Sequence, residues 1–139
     1  MDIRELTRAD RDAAIGLWDL TDLSRPWNPP ADDFDRAVAG PTSAVLGGFV
    51  DGALTATAIV GHDGHRGWIY YLAIHPEQQR TGLGRRMTDA CERWLVDHGA
   101  VKVQLMVRHA NAGATSFYER LGYRPEEVTV LSRWIDRPG

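Results

Sequence analysis

Two Asp-Gly pairs constrain the fold of this chain more than any other feature. Asp51-Gly52 lies between the apolar runs SAVLGGFV (43–50) and ALTATAIVG (53–61), and Asp63-Gly64 lies between the second run and GWIYYLAIHP (67–76). Asp-Gly tolerates the consecutive positive φ angles of a type I′ turn. Each pair therefore predicts a two-residue hairpin, and the three runs predict an antiparallel meander. A two-residue turn at Asp63-Gly64 would also set His62 and His65 opposite each other.

Helical periodicity surrounds the meander. DIREL (2–6) reads as a short strand, and Thr7 caps a helix with Ala14, Ile15, Leu17, Trp18 and Leu20 on its apolar stripe. The prolines of SRPWNPP (24–30) stop it, and a brief helix follows over 32–39. A long helix is expected over 82–98, with Leu83, Met87, Ala90, Cys91, Trp94 and Leu95 on one face and Gly99 closing it. VKVQLMV (101–107) reads as a strand. Asn111 caps a helix that runs to Leu121, and YRPEE with VTVLSRW (123–134) reads as a final hairpin. The order is βααβββαβαβ(β), an α+β pattern with a mostly antiparallel sheet and no repeat or linker, so one domain over 1–139 is expected.

Charge and cysteine content narrow the function classes. A net charge of −3 gives no support for a nucleic-acid or membrane-surface protein. One cysteine excludes an internal disulfide and fits a reducing compartment. The start MDIRELTRADRD is charged rather than signal-like, and no apolar run approaches the roughly 20 residues of a membrane span. A soluble cytoplasmic protein is expected. Cys91, on the apolar stripe of the long helix, reads as a small buried hydrophobe rather than a nucleophile.

The misfit is EQQRTGLGRRM (77–87), where Arg80, Arg85 and Arg86 crowd the start of a helix with no acid nearby. Helix N-termini expose unpaired N–H groups and favour negative charge, so cations there need a reason. Glycines that admit a ligand to the backbone, guanidinium forks and free N–H groups together suit a phosphate-bearing ligand. A loop with solvated arginines satisfies the same residues. No Gly-Lys-Ser/Thr follows, so this is not a P-loop, and Met87 occupies the third glycine position of a dinucleotide fingerprint.

Gln79-Arg80-Thr81-Gly82-Leu83-Gly84 matches the Q/R-x-x-G-x-G/A signature of the GNAT N-acetyltransferase superfamily, and it follows a strand as that signature does. NAGATSFYERLGY (111–123) resembles the family's second landmark, an asparagine followed by a helix ending in F-Y-x-x-L-G-Y/F. With the element order, the resemblance covers nearly the whole chain. SRPWNPP and GHDGHRGW also look similar to a subgroup of small bacterial acetyltransferases with poorly defined acceptors.

The resemblance implies the GNAT fold, a mixed sheet of six to seven strands flanked by about four helices. It implies acetyl-CoA as acyl donor, no metal, and an amine acceptor that is a small molecule, an amino acid or a peptide. The pyrophosphate would rest on the backbone from Arg80 to Arg85, with Gln79 completing the turn. Leu72, Ala73 and Ile74 would pair with the pantetheine arm, and Asn111 and Tyr118 would lie near the thioester. A homodimer is an expectation by analogy alone.

Direct attack of an amine on the thioester needs a neutral amine, a donor to the oxyanion and a proton for the departing thiolate. Backbone N–H at Leu72 is the expected oxyanion donor and Tyr118 the expected general acid. Tyr118 also lies on the stripe Ala114, Phe117, Leu121, which by pattern alone reads as core; the family landmark is what favours the catalytic role. Relatives often carry a glutamate base on the strand before the turn, whereas this strand offers Tyr70 and Tyr71 and no acid. The base is open among His62, Asp63, His65 and Tyr70, all of which also read as solvated or packed residues. Arg25 and Trp27 of SRPWNPP either border the acceptor groove or serve a rigid connector, and Arg25 would favour an acceptor carboxylate. A non-catalytic acyl-CoA sensor or partner module, or a general phosphate-ligand protein, is the rival reading.

Overall fold

The computed structural model describes residues 2–137; Met1, Pro138 and Gly139, the ends of the expected 1–139 domain, lie outside them. The chain forms two compact units, Met1–Met106 and Val107–Gly139.

In the first unit the predicted meander forms. Strands β1 (Asp2–Glu5), β2 (Ser43–Val50), β3 (Ala53–His62) and β4 (Gly67–Ile74) pair antiparallel in order, and β5 (Val103–Leu105) adds parallel to β4. Val50 pairs with Ala53, and Asp51 and Gly52 have φ of 50° and 80°, the left-handed pair of a type I′ turn. The second hairpin differs from expectation. Its last pair is His62 with Gly67, so four residues make the turn and His62 does not face His65. The cause is local. The Asp63 carboxylate accepts from the His65 and Arg66 N–H groups at 2.8 and 2.7 Å, and the Asp63 N–H donates to the Arg66 carbonyl. An Asx-type loop therefore replaces the tight turn.

Each face of the sheet buries one helical layer. Helices α1 (Arg11–Leu20) and α2 (Pro30–Ala39) cover one face with Leu17, Trp18, Phe34 and Ala37, against Val45, Ile59 and Ala73. Helix α3 (Leu83–Asp97) covers the other with Leu83, Met87, Cys91 and Leu95, against Leu46, Ala58, Val60 and Ile69. Along β2 and β3 the residues alternate, Ala44, Leu46, Ala58 and Val60 toward α3 and Val45 and Ile59 toward α1 and α2, as a pleated strand requires.

The second unit holds α4 (Ala112–Arg120), where the Asn111 side chain accepts the Ala114 N–H at 3.1 Å as predicted. The final hairpin does not form. Among the described residues the sheet has five strands, not six to seven, because 123–134 is irregular. Pro125 removes a ladder donor, and a lone two-stranded hairpin is marginal in water. Val128 and Leu131 are exposed, so the apolar alternation there buries little.

Two glycines of the sheet test how closely it is packed. A Cβ on Gly47 would fall 2.4 Å from a methyl of buried Leu6 and 2.9 Å from one of Leu54, whereas a Cβ on Gly61 meets nothing nearer than 3.9 Å. Gly47→Val is expected to lower stability by about 1–3 kcal/mol in urea unfolding. Gly61→Ala should be neutral or raise stability by up to about 1 kcal/mol.

Candidate active site

Strand β4 carries a register fault at the centre of the first unit. Thr57 pairs with Ala73 and Ile59 with Tyr70, so two residues of β4, Tyr71 and Leu72, stand against Ala58 alone. Tyr71 takes a φ of 53°, a left-handed conformation that costs a bulky residue about 1–2 kcal/mol. The bulge changes which way side chains face. Ile69 and Leu72 pack toward α3, whereas Tyr70 and Tyr71 both line the α1/α2 side. In IYYL, the doubled tyrosine is the sequence trace of that fault.

Four side chains hold Tyr71 in place. The Thr57 hydroxyl of β3 donates to the Tyr71 carbonyl at 3.2 Å and accepts from the Trp18 indole of α1 at 2.8 Å. The Trp18 and Tyr71 rings stack at 4.3 Å. The Tyr71 hydroxyl donates to Asp33 of α2 at 2.6 Å and accepts from the Asn28 amide at 3.0 Å. Asn28 also donates to Asp33 at 2.7 Å, and the other Asp33 oxygen accepts from Arg36 at 2.5 Å. Burial and the Asp33 carboxylate push the Tyr71 phenol well above its ordinary range, so it stays protonated as a donor.

Beyond the bulge, β4 has an open edge. Pairing with β5 covers only Gly67 to Ile69, and among the described residues no strand pairs with 70–74 on that side. The backbone groups of β4 that turn to that edge are open to an extended ligand. The chain then passes directly through a short 3-10 turn at Pro76–Gln78, capped by the His75 ring, into the glycine turn.

Arg80 and Gly82 of that turn have φ of 65° and 83°, and Gly82 starts α3 with no side-chain cap and no acid in the first turn. The first helical bond runs from the Arg86 N–H to the Gly82 carbonyl, so the N–H groups of Leu83, Gly84 and Arg85 have no intrahelical acceptor. Thr81 bonds back to the Gln78 carbonyl and closes the loop, while Gln79, Arg80 and Arg85 are exposed around it. An uncapped helix start ringed by guanidinium groups has the donors and the charge that suit phosphate oxygens.

The other sequence candidates fall in different settings. Asp63 caps its own turn, and the N–H groups of Arg66 and His65 hold its carboxyl down at about 2. Burial and the Asp63 charge push the Tyr70 phenol up. His65 is exposed in the turn, and His62 is half-buried at the end of β3. Arg25 bonds the carbonyls of Asp22 and Ser24 at 2.7 and 2.9 Å, so its guanidinium stiffens its own loop. Trp27 is exposed on that loop. In the second unit, Tyr118 of α4 packs edge-on against Phe117 and Tyr123, and the Asn111 side-chain oxygen caps the helix.

Sequence reasoning missed Asn28, Asp33, Arg36 and Thr57. Asp33 reads in sequence as an ordinary first-turn acid, and only the three-dimensional bulge gives it a partner. Among the described residues, no group of three or more His, Cys, Asp or Glu side chains is arranged to hold a metal, and no helix is long and apolar enough to cross a membrane.

Thr57 and Thr55 are both buried on β3, but only Thr57 bridges Trp18 to the bulge. Thr57→Val strands the indole N–H and the Tyr71 carbonyl, and should cost about 1–3 kcal/mol in urea unfolding. Thr55→Val, which loses one long bond of 3.4 Å to the Gly48 carbonyl, should cost less.

The model of the acetyltransferase (GNAT) family matches residues 5–123. Solved structures share the fold at low identity. The aminoglycoside acetyltransferase AAC(6')-Iy, in complex with the bisubstrate analogue CoA-S-monomethyl-acetylneamine, superposes with a TM-score of 0.81 at 16% identity, covering 96% of this chain and 97% of that one. A mutant of the BH1408 protein from Bacillus halodurans gives 0.77 at 23% identity, covering 97% and 100%. A putative acetyltransferase from Agrobacterium tumefaciens gives 0.81 at 17% identity, covering 96% and 100%. A bulged strand with an open edge, a glycine turn on an uncapped helix and a family match over 5–123 lead to one conclusion: the chain belongs to the acetyltransferase (GNAT) family, the acetyl-CoA-dependent N-acetyltransferases.

Proposed function

We propose that this enzyme moves an acetyl group from acetyl-CoA directly to the primary amine of a small molecule, an amino acid or a peptide, with no acyl-enzyme intermediate. The observation that carries the reading is the junction of β4 and α3, where an open strand edge runs straight into an uncapped helix start. In this account the backbone from Arg80 to Arg85 receives the pyrophosphate, with Gln79 and Thr81 shaping the turn. The backbone of Leu72, Ala73 and Ile74 takes the pantetheine arm.

Amine attack on the thioester carbonyl forms a tetrahedral oxyanion, which the Leu72 N–H steadies. Collapse breaks the C–S bond, and the coenzyme A thiolate takes a proton from Tyr118, with Asn111 near the same group. These last two roles rest on the family landmark 111–123. The base stays open among His62, Asp63, His65 and Tyr70: the Arg66 and His65 N–H groups hold the Asp63 carboxyl down at about 2, which makes it a poor proton acceptor, and burial pushes the Tyr70 phenol up. Direct transfer is supported by Cys91, which is fully buried and whose thiol is pushed up to about 12 by burial.

The family match crosses both compact units, which supports a single catalytic domain over 1–139. The lone cysteine suits a cytoplasmic setting, and by analogy with relatives the enzyme works as a homodimer. Release of free coenzyme A thiol across a panel of amines, amino acids and peptides tests the activity. Tight acetyl-CoA binding with no release on any of them would favour a non-catalytic sensor.

Three variants dissect the mechanism. Gly82→Val forces a β-branched residue to a φ of 83°, and should raise the KM for acetyl-CoA by about tenfold or more. Tyr118→Phe should lower kcat by about a hundredfold and leave acetyl-CoA binding intact; an unchanged kcat would remove Tyr118 as general acid. Cys91→Ala should keep kcat, whereas its loss would point to an acyl-cysteine.

A further inference from the structure

Beside the bulge, on the α1/α2 side of the sheet, lies a cavity of about 390 Å³ whose wall includes Asn28, Asp33, Arg36, Ile59, Tyr70 and Tyr71. That volume is within the range of small-molecule sites, about 300–1,000 Å³. We infer that this cavity seats the acceptor, and that it selects a primary amine whose scaffold carries a carboxylate and an apolar or aromatic group. Arg36 and Tyr70 are its specificity-determining residues. The inference rests on the acetyl-transfer reading above.

Position comes first. The bulge turns Tyr70 and Tyr71 onto one face, so the cavity touches β4 immediately before Leu72, the assigned oxyanion donor. Helix α3 packs on the opposite face, so an acceptor here would approach β4 from the side away from that helix.

Charge decides the class. Asp33 and Arg36 are the two charged side chains of the wall, and they pair with each other. Asp33 accepts from Arg36 on one oxygen and from Tyr71 and Asn28 on the other. A polycationic acceptor therefore finds no unengaged carboxylate to replace its lost hydration. Arg36 has the opposite character. Its side chain is 69% exposed, and one contact to Asp33 leaves other guanidinium N–H groups for a ligand carboxylate. Beside it, Tyr70 is exposed and stacks on Trp68 at 6.1 Å, a flat surface for an apolar or aromatic group.

The test compares coenzyme A release with phenylalanine, phenylalaninamide, spermidine and kanamycin as acceptors. The expected order in kcat/KM is phenylalanine first, and phenylalanine should also exceed alanine. Arg36→Gln should raise the KM for phenylalanine by about tenfold or more, leave phenylalaninamide and acetyl-CoA nearly unchanged, and be partly rescued by Arg36→Lys. Tyr70→Ala should erase the advantage of phenylalanine over alanine. The assignment is overturned if spermidine or kanamycin is used as efficiently as phenylalanine, or if Arg36→Gln weakens the acid and the amide equally. Turnover with none of the four, while calorimetry records acetyl-CoA binding, would overturn this inference, and the same outcome across the wider panel of amines, amino acids and peptides would overturn the acetyl-transfer reading as well.

Discussion

One residue in a costly backbone conformation organises the functional half of this molecule. Tyr71 sits at a φ of 53° in the middle of a strand, where an ordinary residue would be extended. That conformation persists because four side chains restrain it: the Thr57 hydroxyl on its carbonyl, the Trp18 ring on its face, and Asp33 and Asn28 on its hydroxyl. Each bond contributes about 1 kcal/mol net, enough together to exceed the local strain of about 1–2 kcal/mol. Without the bulge, Tyr70 and Tyr71 would face opposite sides of the sheet and the cavity wall would lose one of them.

The bulge also separates two kinds of surface. On the α3 side the sheet is sealed by Leu83, Met87, Cys91 and Leu95, and the start of that helix is left uncapped and cationic. On the α1/α2 side, packing is complete around Trp18 and Phe34 but opens into the cavity at Tyr70 and Tyr71. The proposed donor cradle and the proposed acceptor seat thus meet at β4, with the strand backbone between them. That strand is suited to the task because, among the described residues, no strand pairs with its edge beyond Ile69.

Much of this was legible in the sequence. Asp51-Gly52 predicted its hairpin to the residue, the stripe from Leu83 to Leu95 predicted α3 within a residue at each end, and Asn111 capped α4 as expected. The glycine turn declared itself by placing arginines where a helix start disfavours them. Asp63-Gly64 failed as a two-residue turn because an aspartate side chain competes for the same backbone N–H groups that a tight hairpin would use. The last hairpin failed because alternation describes what a strand would bury, not whether a partner exists to bury it against. The cavity residues were illegible for a further reason. Asp33, Asn28 and Tyr71 are distant in sequence, and each looks ordinary alone: a first-turn acid, a loop amide, a strand aromatic. Their meaning arises from a one-residue register fault whose sole trace in the chain is a doubled tyrosine.

The account's central claim is that the open edge of β4 and the uncapped start of α3 form one continuous cradle for coenzyme A. Amide hydrogen exchange with and without coenzyme A tests it directly. The account predicts that binding slows exchange at Leu72, Ala73 and Ile74 and at Leu83, Gly84 and Arg85 together, with little change along β1 and β2. Protection elsewhere, or at the helix start while 72–74 exchange as before, would contradict it.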